Sequence, residues 1–88
     1  MTIAAAYELF PSDADADMDA ISKAVSGVIP AGVKITETEI RPVAFGLKKV
    51  FVGFVIDDSD ESVGTKLEEG LRSIPGVENI ECVASTNL

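Results

Sequence analysis

The chain has 88 residues, room for one domain around one modest core. Seven basic residues against fifteen acidic ones leave a net charge of −8, which argues against nucleic acid or an anionic membrane surface as partner, since both are held by Lys and Arg. With no histidine and one cysteine, Cys82, it offers neither a zinc nor an iron–sulfur ligand set and lacks the commonest general base, so no cofactor and no enzymatic centre are expected.

Residues Thr2 to Phe10 alternate loosely and stop at Pro11, which reads as a strand ended by a breaker. No basic region precedes this segment as in a secretory signal, and no apolar run approaches the roughly 18 residues of a membrane span, so a cytoplasmic protein is expected. PSDADADMD (11–19) is polar, and its carboxylates Asp13, Asp15, Asp17 and Asp19 suit a helix start. It lacks the glycine and the distant bidentate glutamate of a calcium loop. Met18, Ile21, Ala24, Val25 and Val28 then recur at helical spacing, and Pro30 with Gly32 ends that helix.

Alternation predicts a strand from Val33 to Val43 and another from Leu47 to Asp57, with Val50, Val52, Phe54 and Ile56 on one face of the second. Ala44 to Gly46 is short enough to make the two a hairpin or a bulged continuation. After the acidic turn DDSDES, the residues Val63, Leu67, Leu71 and Ile74 form one buried helical stripe, closed by Pro75 and Gly76. Thr65 and Glu68 have capping-box spacing, or are exposed positions of the first turns. Val77 to Ala84 is the last strand, Cys82 within it reads as core, and SerThrAsnLeu is a short polar tail.

The order strand, helix, strand, strand, helix, strand leaves two helices to cover one face of a four-stranded sheet. Right-handed crossovers then give an α+β fold, the ferredoxin-like split βαββαβ sandwich, with an antiparallel sheet, the first and third strands in its centre and residues 1–88 as one domain. That fold hosts many functions. RNA-recognition domains place aromatic and basic residues on the open sheet face, whereas the five aromatics here are scattered among acids. Heavy-metal carriers need paired cysteines. A small-ligand regulatory domain and a purely structural subunit stay open as alternatives. The acidity suits a basic protein partner or serves solubility alone.

The segment RPVAFGLKKV (41–50) is the most informative. It resembles the stretch joining the second and third strands in the guanine nucleotide exchange domain of the elongation factor 1-beta family. The likeness continues through VFVGFVIDD (50–58) and reaches VGTKLEE (63–69), which looks like the opening of that domain's second helix. The archaeal members are free-standing domains of about this size. The resemblance implies a partner, the GTPase elongation factor 1-alpha, and an accessory protein that is not itself an enzyme. It implies contacts at Pro42, Ala44, Phe45, Gly46 and Lys48, with the aromatic Phe45 foremost, and at the chain end, Asn87 and Leu88. Each has a plain reading too: Pro42 guards an edge strand, Gly46 supplies a backbone angle, and Lys48 and Lys49 must point to opposite faces. A strand of about ten residues spans roughly 33 Å, so the hairpin tip and the tail should lie at opposite ends and meet two domains of the partner. Eukaryotic members carry a lysine next to last where this chain has Asn87. An amide lacks the charge of an ammonium, so exchange here is expected to work by steric displacement or through another cation.

Overall fold

The computed structural model describes residues 2–13, 15–43, 46–57 and 62–87. Ala44, Phe45 and Leu88, expected contact residues, lie outside the described residues. Strand β1 (Thr2–Pro11) buries Ala5, Tyr7 and Leu9 at alternate positions. The Asp17 carboxylate then accepts from Ala20 N at 3.1 Å and caps helix α1 (Met18–Ala24), as the acidic run predicts. Met18 and Ile21 face inward; the chain tightens into a 3₁₀ turn over Val25–Gly27 that keeps Val25 fully buried. Helix α1 is thus shorter than its apolar spacing suggests, and Val28 packs on the core from beyond it.

Gly32, at φ 89, turns the chain into β2 (Val33–Pro42), and β3 (Lys48–Asp57) returns beside it. Val50, Val52, Phe54 and Ile56 are all buried along β3 as expected. Helix α2 (Ser62–Arg72) buries Val63, Leu67 and Leu71 on one stripe, and Thr65 is an exposed interior position of the helix, not its cap. Ile74 is buried just past the helix end. Gly76, at φ 91, leads into β4 (Val77–Asn87).

The sheet runs β2-β3-β1-β4, every neighbouring pair antiparallel, with the first and third strands central. The helices and the inward strand residues form one core in which Phe54, Leu9, Leu67 and Leu71 are the largest sealed side chains. Tyr7 meets Phe54 edge-on, ring centroids 5.9 Å apart. Among the described residues no helix covers the opposite face of the sheet. Three register shifts interrupt the ladder, leaving Thr36, Val83 and Glu78 as extra residues opposite β3 or β1.

Two expectations fail on β4. Ser85, Thr86 and Asn87 are not a free tail, because they pair with Ala5, Ala4 and Ile3 and complete the strand. The backbone groups of β1 hold them there, a bond that polar side chains do not advertise. Cys82 is exposed instead of packed in the core. It sits on an edge strand beside the extra residue Val83, two residues beyond Ile80, the last buried position of β4, and its thiol lies 3.6 Å from Ala84 O.

Candidate partner-binding surface

The segment singled out by the sequence is the β2–β3 hairpin. Its last register pair is Pro42 with Lys48, and Val43 N donates to Leu47 O at 2.7 Å to close the connection. Gly46 has φ 77 and open space where a Cβ would stand, so backbone conformation and not crowding calls for glycine. Pro42 lies exposed at the end of an edge strand, where its missing N–H costs nothing. The structure therefore brings Pro42, Gly46 and Lys48 together.

The two lysines part as the pleat demands. Lys48 lines a cleft of about 380 Å³ between the hairpin and the start of α1, with Asp13, Asp17 and Asp19 around it. Among the described residues no group of three or more such side chains is arranged to hold a metal ion. Lys49 turns to the uncovered face, where its Nζ meets Glu8 Oε2 at 2.6 Å. There Arg41 lies with its guanidinium carbon 4.0 Å from the centroid of Phe51 and donates to Glu39 Oε2 at 3.0 Å. Register places Phe51 opposite Glu8 and Glu39, and Glu8 opposite Glu81.

This face carries more order than the sequence suggests: Phe51, Arg41 and Lys49 are gathered near the hairpin, while Lys34 stands farther along, opposite Val55. Arg41 and Lys49 are each engaged by a carboxylate, and the Phe51 ring is covered by Arg41, which leaves little at this end of the face for a phosphate or a base to bind. At the far end of the molecule, β4 carries Asn87 beside Ile3, and Ile3 pairs with Ile56 of β3. Since Pro42 sits at the other end of the same ladder, Pro42 and Asn87 are opposed along the strands of a molecule 39 Å long.

Sequence reasoning passed over Val43 and Leu47. Both stand 37% exposed at the hairpin closure. Apolar residues at the ends of alternating runs read as core, and only the strand ends, Pro42 and Lys48 instead of Val43 and Leu47, reveal them as surface. Arg41 over Phe51 was also missed, though the equal spacing of Arg41 and Lys49 from the tip would have shown the pairing.

Fold and surface together define a single-core split βαββαβ domain with an exposed hairpin at one end, one bare sheet face and a paired chain end opposite. The profile of the EF-1 guanine nucleotide exchange domain matches residues 4–88, and the chain belongs to that family. It is similar to the elongation factor 1-beta of Methanocella arvoryzae, 34% identical over 84 residues that cover 94% of this chain and 92% of the relative. The elongation factor 1-beta of Methanococcoides burtonii is 35% identical over 80 residues, covering 90% and 88%. That of Archaeoglobus fulgidus is 34% identical over 73 residues, covering 83% and 82%.

Proposed function

We propose that this domain acts in the cytoplasm on the GTPase elongation factor 1-alpha, promoting exchange of GDP for GTP. It binds the GDP-bound GTPase, disturbs the pocket that holds phosphate and magnesium, and lets GDP leave; GTP then binds and displaces the domain. The coupling is reciprocal: a partner that weakens nucleotide binding is itself bound less tightly when nucleotide is present. No covalent bond is broken, and the domain needs no cofactor of its own. Pro42, Ala44, Phe45, Gly46 and Lys48 are the contacts at one end, Asn87 and Leu88 at the other. With Asn87 in a paired strand, this residue acts from a fixed position beside Ile3.

The observation that carries this reading is the family match over residues 4–88 together with the exposed positions Pro42, Gly46 and Lys48 at the end of the β2–β3 ladder. Release of labelled GDP from purified archaeal elongation factor 1-alpha tests it. Micromolar domain should accelerate release severalfold or more, and an unchanged release rate would overturn the proposal.

A further inference from the structure

Most large apolar side chains in this small domain are buried or half-buried, and among the described residues three are exposed: Val43, Leu47 and Val83. Two of the three face each other across the hydrogen bond that closes the β2–β3 hairpin. The ladder from Ile40–Val50 through Arg41–Lys49 and Pro42–Lys48 leads straight to this pair, past the last residues that reach the core. An adjacent apolar pair at the extremity of an otherwise charged molecule marks a contact surface.

Carboxylates dominate both flanks of that pair. On the helix side Asp13, Asp17 and Asp19 share their cleft with one cation, Lys48. On the bare face Arg41 and Lys49 are occupied by Glu39 and Glu8, and Glu81 adds a further negative charge directly across from Glu8. Lys49 already answers Glu8, so Glu81 is the carboxylate of this opposed pair that a cation from a partner would meet.

We infer that Val43 and Leu47 are anchors that seat in an apolar depression on the GTPase, and that this depression is rimmed by Lys and Arg. The inference rests on the exchange reading above and adds the chemistry that the partner's surface must offer. The two parts of the surface act at different moments. Carboxylates steer the encounter and set the association rate. The apolar pair loses water only once docked and so sets the dissociation rate.

The test measures both rate constants for purified domain and GTPase, beside GDP release. Val43→Ser/Leu47→Ser should dissociate about tenfold faster or more, with an unchanged urea midpoint because both side chains lie outside the core. Should that variant lose stability, Val43→Thr, which keeps the shape, reads the same dissociation rate. Asp19→Asn/Glu81→Gln removes one carboxylate from each flank; it should associate about threefold more slowly or worse at low salt and match the wild type near about 1 M salt. Wild-type dissociation by the apolar variant, while the wild type still accelerates GDP release, overturns the anchoring role. Wild-type association by the charge variant at every salt concentration overturns the basic rim. A wild-type domain that neither binds nor accelerates release overturns the exchange reading instead.

Discussion

Tyr7 is the one tyrosine of the chain, buried against Phe54, with its hydroxyl donating to Glu68 Oε2 at 3.0 Å. Burial first, then the hydrogen bond and the negative charge of Glu68, pushes its ionisation far above the ordinary phenol value of about 10. The folded chain therefore holds this proton more tightly than the unfolded chain does. Its contribution to stability is complete below about pH 10 and is lost as pH rises, because the unfolded phenol ionises first. Phenolate absorbance should thus stay absent past pH 10 and appear together with alkaline unfolding; ionisation near 10 in a folded chain would contradict the burial. Glu68→Gln removes the charge and should bring ionisation to lower pH. Phe45 belongs to this scale by family likeness. Phe45→Ala should slow GDP exchange at least about tenfold while leaving the urea midpoint in place, and unchanged exchange would clear the residue of a major role.

Two glycines of α2 face opposite surroundings. At Gly64 an added Cβ meets nothing within 4 Å, whereas at Gly70 it would press on the backbone carbonyl of Val28. Alanine gains about 1 kcal/mol over glycine in a helix interior, so Gly64→Ala should stabilise the domain by up to that amount. At Gly70 the clash is with backbone, which no rotamer relieves, and overpacking costs of about 1–3 kcal/mol exceed the propensity gain. Gly70→Ala should therefore lower the urea midpoint while Gly64→Ala raises it; the same sign for both would refute the close packing of α2 on the Val25–Val28 turn. The elements themselves were legible because their inward residues fall at periods of two or near 3.6, from Leu9 and Val50 to Leu67 and Leu71. Cys82 and Ser85–Asn87 were not, since pattern reports side-chain polarity and β4 is an edge strand. There an apolar residue can go uncovered, while a polar stretch is held by backbone bonds alone. The hairpin's place was readable from the short Ala44–Gly46 connection, but Val43 and Leu47 were read only as the end residues of its two strands. Only the position at which the ladder stops makes them surface.

At the scale of the molecule, both open edges of the sheet are made awkward for strand addition. β2 has an extra residue at Thr36, charges at Lys34, Glu37 and Glu39, and ends in Pro42; β4 is broken twice, at Val83 and Glu78. Such edges resist the pairing that leads to aggregation, and they leave the ends and the bare face as the surfaces free for contact. The net charge of −8 works the same way but strains the compact state through self-repulsion. Raising salt from about 0.1 M to about 1 M shortens the screening length from about 10 Å to about 3 Å. The urea midpoint should rise over that range; a fall would mean that the ion pairs outweigh the repulsion. The antiparallel ladder has a mechanical corollary. Pro42 and Asn87 are tied through β3 and β1 by continuous hydrogen-bonded strands, so the gap between them behaves like the jaws of a locked caliper. If the proposed partner spans both jaws, it meets a fixed gauge, and the strain of fitting falls on the partner and not on this sheet.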